Sequence, residues 1–134
     1  MNMENPKKAL IVDDDPDCLE LVGMMLKRMD FEIEEAESQS QAEVMIKTGN
    51  YDLAVFDLMM ENHDSGFVLC HKMKRRSPDT PVIIVTNVAR ETGLRFRGFT
   101  AGEMEWIKAD AILDKSIRFE QLKHEVDKFF PVTA

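Results

Sequence analysis

The 134-residue sequence predicts an α/β fold: one open, doubly wound sheet of five parallel strands, with five helices. Three observations predict it. Short apolar runs rich in Val, Ile, Leu and Phe alternate with segments of helical period, the pattern of a parallel sheet covered on both faces. Five such β-then-α units follow one another without a repeat, a low-complexity tract or a linker, so one domain is expected over residues 1–134, with its core at about 7–130. Right-handed crossovers between parallel strands then favour an open doubly wound sheet, in which functional groups gather at the carboxyl ends of the strands.

The first strand is Ala9-Leu10-Ile11-Val12, followed by Asp13-Asp14-Asp15-Pro16. Asp15 suits an N-cap and Pro16 the first helical position, where the N–H that proline lacks has no partner anyway. Leu19, Val22, Met25, Leu26 and Met29 recur at three- and four-residue steps, one apolar stripe on a helix ending near Asp30. Phe31-Glu32-Ile33-Glu34 alternates as a strand does. Ser38 and Gln41 have the spacing of a capping box, and Gly49-Asn50, both permissive of left-handed backbone, close the second helix behind its buried Ala42, Met45 and Ile46. Leu53-Ala54-Val55-Phe56 runs to Asp57, and a polar loop from Glu61 to Gly66 leads into a helix around Phe67 to Cys70 that stops before Pro78. Pro81 to Thr86 reads as a central strand with proline at its start, where a missing donor is tolerated. Gly93, Gly98 and Gly102 then interrupt the pattern. A loop or broken helix is expected there, followed by a short helix over 103–108 with Thr100 and Glu103 as its candidate capping box. Ala111-Ile112-Leu113 is the fifth strand, and Phe119, Leu122, Val126 and Phe129 share one face of the last helix before Pro131.

Composition excludes several classes. The formal charge is −8 and no basic run exceeds Lys74-Arg75-Arg76, so nucleic-acid binding lacks its positive field. Met1 to Lys8 is polar and leads into a run too short for a signal peptide or membrane helix, so the chain is expected in the cytoplasm, away from membranes. Cys18 and Cys70, unpaired by any motif, give no disulfide framework or zinc site and are expected to be reduced, buried residues of helices. His63 has no second ligand nearby in sequence and reads as a solvated loop residue.

The chemistry lies at the strand ends. Asp13-Asp14 follow the first strand, Asp57 the third, Thr86 ends the fourth and Lys115 follows the fifth. An open parallel sheet brings these ends to one edge, where several carboxylates cannot all stay ionised unaided. Their repulsion raises a pKa or demands a cation, and hard oxygen donors suit magnesium. A carboxylate nucleophile, a metal, a fixed ammonium and a hydroxyl donor are what phosphoryl transfer needs, because catalysis there is mostly positioning and charge stabilisation.

With these motifs the sequence resembles the response-regulator receiver family of two-component signalling, from about Lys7 to Phe130. Ala9 to Pro16 is similar to the family's opening motif, Tyr51 to Met60 to its acceptor strand and Val82 to Thr86 to its switch strand. The resemblance implies a flavodoxin-like strand order 2-1-3-4-5. It implies Asp57 as phospho-acceptor, with magnesium held by Asp13 through water, by Asp14, by Asp57 and by the main-chain carbonyl of Met59. Thr86 would sense the phosphoryl group and Lys115 would pair with it. The implied partners are a sensor histidine kinase or phosphotransfer protein and a downstream protein target, with a phosphorylation-dependent homodimer as a further state. The chain ends directly after its last helix, which leads to the expectation of a stand-alone phosphorelay switch and not a conventional enzyme. Its only reactions would be self-phosphorylation and slow self-dephosphorylation.

The sequence also departs from the family. Ser116 stands where proline usually follows the lysine, Ile112 where an aromatic switch residue is common, and Asn87 after the threonine where a small residue is usual. The loop after Asp57 reads as one residue longer than the family's tighter turn, and extra residues fall around 90–102, where Phe96 and Phe99 with Arg90, Arg95 and Arg97 offer a partner surface. These departures give the alternative reading, a degenerate receiver that binds proteins independently of phosphorylation. An aspartyl phosphatase ranks last, because it wants a second Asp two residues after the first, and Met59 stands there. Met59 and Val88, two residues beyond Asp57 and Thr86, are both apolar and cannot orient an attacking water. We therefore predict that replacing Met59 by Asn together with Val88 by Glu shortens the lifetime of the phosphorylated protein, followed by mass at fixed magnesium; equal or slower decay would show that these side chains do not gate water.

Overall fold

The computed structural model describes residues 7–58, 60, 65–86 and 109–131. Strands β1 (Lys7–Val12), β2 (Phe31–Ala36), β3 (Leu53–Asp57), β4 (Val82–Thr86) and β5 (Ala111–Asp114) form one sheet in the order β2-β1-β3-β4-β5, with every pairing parallel. Among the described residues there are four helices, α1 (Pro16–Arg28), α2 (Gln39–Thr48), α3 (Ser65–Arg76) and α4 (Phe119–Phe129). The short helix expected over 103–108 and the glycine-interrupted stretch before it lie outside the described residues, as do Met59, His63, Asn87, Val88 and the aromatic and arginine side chains of 90–102.

Strand alternation sorts the apolar side chains into two cores. Leu10, Val12, Ala54, Phe56, Val82 and Ile84 pack on one face against Ala42 and Ile46 of α2 and Phe67, Leu69 and Met73 of α3. Ala9, Ile11, Leu53, Val55, Ile83 and Val85 pack on the other against Leu19, Val22 and Leu26 of α1 and Leu122 and Val126 of α4. Being covered twice, β3 and β4 bury every residue, which is why they read as unbroken apolar runs. The edge strand β2 carries Glu32, Glu34 and Glu35, charges that discourage pairing with another chain.

The helix signals resolve differently at their two ends. Asp15 caps α1 as expected, its carboxylate accepting from the Asp17 N–H at 2.9 Å, with Pro16 at the first position. Ser38 Oγ accepts from the Gln41 N–H at 3.1 Å, but Gln41 Oε1 reaches past Ser38 to the Glu37 N–H at 2.9 Å, a displaced form of the capping box. The left-handed closure expected at Gly49 is absent. Gly49 has φ −105°, and what requires glycine there is Tyr51, whose hydroxyl would lie 2.8 Å from an added Cβ. The left-handed residue is Asp30 at φ 71°, which turns the chain from α1 into β2.

β1 and β3 are neighbours, yet β1 leads by α1 to β2 on one side and β3 leads by α3 to β4 on the other. The crevice at the carboxyl ends of β1 and β3, where the direction of winding reverses, is where such sheets bind ligands.

Candidate functional site

Asp13 and Asp57 enter that crevice from adjacent strand ends and are both buried, at 2% and 4% exposure. The Asp13 N–H donates to the Ala36 carbonyl at 3.1 Å, holding the end of β1 on β2, while Asp13 Oδ1 accepts from the Asp15 N–H at 2.9 Å. Asp57 is the last residue of β3, in register with Val85, and the following Leu58 N–H donates to the Val85 carbonyl at 2.9 Å. Asp14 is exposed at the rim. One carboxylate oxygen from each of Asp13, Asp14 and Asp57 lies within 4.8 Å of the others.

Lys115 completes the cluster. Its N–H donates to the Thr86 carbonyl at 3.0 Å, tying it to the end of β4, and its ammonium lies 3.2 Å from Asp13 Oδ1 and 3.4 Å from Asp57 Oδ2. Thr86, buried at 1% exposure, sits beside Asp114 in the sheet register. Ser116 stands in the turn beyond Lys115, and both its N–H and its hydroxyl donate to Asp114 Oδ1 at 3.1 Å. That bracket spans Lys115 and ties the chain on either side of it by hydrogen bonding. Of the residues expected in the site, Asp13, Asp14, Asp57, Thr86 and Lys115 thus meet at one sheet edge, and Met59 lies outside the described residues.

The electrostatics are unbalanced. Burial, then the charge of Asp13, pushes the Asp57 carboxyl up from its ordinary 3.8 to about 7; Lys115 opposes this and Asp14 adds to it. For Lys115, burial alone would lower the pKa, but Asp57 and Asp13 together outweigh it and hold the ammonium above its ordinary value. With all groups ionised, three carboxylates and one ammonium leave two negative charges in one crevice. Hard oxygen donors at this mutual distance and this charge fit a magnesium ion, which needs few protein ligands and keeps several waters.

Two features of the site were not read from the sequence. The Cys18 thiol, expected simply as a buried helix residue, is half-buried on the first turn of α1 near Asp13; burial, then the neighbouring Asp13 carboxylate, pushes it up to about 12. Its place one turn beyond Asp14 was the available signal. Gly66, read only as the end of a loop, brings α3 against the acceptor strand. Its N–H donates to the Leu58 carbonyl at 2.8 Å, and an added Cβ would stand 2.6 Å from the Asp57 carbonyl oxygen.

Against this geometry the comparisons with known proteins are direct. The model of the response regulator receiver domain matches residues 9–127. The chain belongs to the response regulator receiver family. Among relatives of this receiver, the transcriptional regulatory protein ResD of Bacillus subtilis is 36% identical over 107 residues, 80% of this chain and 43% of ResD. The transcriptional regulatory protein SrrA of Staphylococcus aureus is 36% identical over 100 residues, 75% of this chain and 40% of SrrA. The receiver therefore spans less than half the length of these relatives. The crystal structure of the response regulator TrrA from Thermotoga maritima, in complex with Mg2+-BeF, superposes with a TM-score of 0.74 at 28% identity, covering 92% of this chain and 98% of that one. A CheY-like receiver from Methanospirillum hungatei gives 0.76 at 23% identity over 92% and 93% of the two chains, a likeness of fold. Among the described residues no helix is long and apolar enough to cross a membrane.

Two predictions follow from the crowding at Asp57. Because the folded acid holds its proton up to about 7 while the unfolded one releases it near 3.8, the folded state binds more protons between those values. The metal-free receiver should therefore lose stability as pH rises through that window. Asp57→Asn should raise its melting temperature at pH 8 in chelator by roughly 2–8 °C, with the gain shrinking toward pH 4; a variant less stable than the parent at pH 8 would contradict this. Gly66→Ala should lower stability by about 1–3 kcal/mol, since backbone and not a flexible side chain blocks the new methyl. Denaturant unfolding reads this as a lower midpoint at unchanged slope.

Proposed function

We propose that this receiver is a phosphorylation switch of a two-component system, with Asp57 as the phosphoryl acceptor. The observation that carries the reading is the gathering of Asp13, Asp14 and Asp57 within 4.8 Å with Lys115 3.4 Å from Asp57. Asp57 Oδ attacks the phosphorus of a phosphohistidine on a sensor kinase or phosphotransfer protein; the P–N bond breaks, its electron pair stays on the imidazole nitrogen, and an acyl phosphate forms. Burial of Asp57, at 4% exposure, keeps the nucleophile oriented and limits the approach of water to the product. Lys115, already tied to the end of β4, pairs with a phosphoryl oxygen in exchange for its contact with Asp57. Thr86 offers its hydroxyl to another and carries the change into β4 and toward a downstream protein partner. A magnesium ion would be held by Asp14 and Asp57, with Asp13 beside them and the expected main-chain ligand Met59 outside the described residues, and would supply neutralising charge for the phosphoryl oxygens.

In this reading the chain is one receiver domain, core about 7–130, and a switch whose own chemistry is limited to gaining and slowly losing the phosphoryl group; the two apolar cores on a single sheet support the single domain. The bracket of Ser116 on Asp114 argues against a degenerate receiver, because it keeps Lys115 on the carboxylates without proline. Intact-mass measurement after a small acyl-phosphate donor and magnesium should show one phosphoryl adduct on the parent and none on Asp57→Asn. An adduct on the variant would overturn the assignment. Asp14→Asn should weaken magnesium binding, since it removes a charged ligand; equal affinities of parent and variant in the same titration would remove Asp14 from the metal site.

A further inference from the structure

The chain carries a charge of −8, yet its basic side chains are unevenly placed. A groove of about 340 Å3 runs between α2 and α3, lined by Glu43, Ile46, Lys47, Lys72, Arg75 and Arg76. Part of this positive charge has local uses. Arg76 donates to the Gly49 carbonyl at 3.2 Å, the adjacent Lys74 is taken by Asp110 at 2.7 Å, and basic residues in the last turn of α3 suit the negative end of its dipole. The remainder is not consumed. Lys47 and Arg75 are exposed and make no hydrogen bond or ion pair with a described residue, and Lys72 has one ionic contact among them, to Glu43 Oε2 at 3.7 Å. Next to the groove on α2, one turn before Lys47, stands Val44, at 62% the most exposed large hydrophobic side chain among the described residues.

We infer that this groove docks an acidic segment of a partner protein, carboxylates meeting Lys47, Lys72 and Arg75 and an apolar side chain resting on Val44. Charge complementarity decides the occupant. A few cations interrupted by Glu43 match the few carboxylates of a peptide, whereas a nucleic acid would bring a long polyanion against a chain that repels it.

The groove is also wired to the acceptor strand. Glu43 Oε2, the atom facing Lys72, accepts from Gln39 Nε2 at 2.9 Å, and Gln39 Oε1 accepts from Ser65 Oγ at 2.7 Å. Ser65 is fully buried and precedes Gly66, whose N–H holds Leu58, the residue after Asp57. A carboxylate arriving at Lys72 competes with Glu43 for it and shifts the far end of this chain of bonds. Docking and phosphorylation are therefore coupled, each altering the other to the same degree. The coupling, unlike the docking, rests on the reading of Asp57 as acceptor.

The probe is a fluorescein-labelled amphipathic peptide of glutamate and leucine, titrated by anisotropy with the unphosphorylated full chain at low salt. It should bind saturably, and Lys72→Glu with Arg75→Glu should weaken it about tenfold or more. The same charge change placed elsewhere, Lys27→Glu with Lys123→Glu, should alter it less than about twofold. No saturable binding, or equal losses in the two double variants, overturns the docking site. Tighter groove-dependent binding of a DNA duplex, of phosphatidylglycerol vesicles or of a second copy of the chain overturns the choice of occupant. With acyl-phosphate donor and magnesium the peptide's Kd should change about fivefold or more in the parent, and not in Gln39→Met. An adduct on Asp57 without that change overturns the coupling. Absence of any adduct, with peptide binding intact, refutes the acceptor reading and leaves the docking site standing.

Discussion

The structure turns on one buried corner in which the carboxylates of Asp13 and Asp57 share the ammonium of Lys115. A single cation cannot satisfy two buried carboxylates with a third, Asp14, at the rim, so the metal-free corner holds an excess of negative charge. The excess shows in Asp57, whose acid is pushed well above the ordinary carboxylate range by burial and by Asp13 despite Lys115. A site arranged this way sacrifices stability without a counter-charge, and the same imbalance suits a divalent cation.

Everything around the corner keeps it crowded. Two apolar cores, one on each face of the sheet, leave β3 and β4 no freedom to withdraw. The main-chain bond from Lys115 to Thr86 and the bracket of Ser116 on Asp114 fix the backbone from which the lysine reaches the carboxylates. Gly66 lets α3 begin directly against the backbone of Asp57 and Leu58, so the acceptor strand cannot relax forward. The Cys18 thiol stands near Asp13 on the first turn of α1, and burial and that carboxylate push it up. Packing thus opposes electrostatics, and Asp57 is in contact with the ends of β4 and α3 through Lys115 and Gly66.

Much of this was legible in the sequence because it depends on local chemistry or on topology. The five apolar runs gave the strands, the Asp15-Pro16 pair gave the start of α1, and the rule that groups gather at strand ends brought Asp13, Asp57, Thr86 and Lys115 together. Contacts that depend on packing between distant elements were not legible. Gly49 looked like a left-handed terminator, but its small size answers to Tyr51, and the left-handed turn falls at Asp30. Cys18 carried no motif, and only the placement of α1 over β1 reveals its nearness to Asp13. The Gln39 and Ser65 pairing joins two helix starts 26 residues apart, which no local pattern reports. The loss of proline after Lys115 looked like a weakness, and the Asp114 carboxylate that answers it becomes visible only in the folded turn.

The central claim, that uncompensated negative charge at Asp57 defines the site, is tested most directly by carbon NMR of the Asp57 carboxyl, titrated with and without magnesium. The expected midpoint lies near 7 in the metal-free receiver and moves to lower pH as magnesium is added to saturation. A metal-free midpoint in the ordinary range near 3.8, or a midpoint indifferent to magnesium, would contradict it.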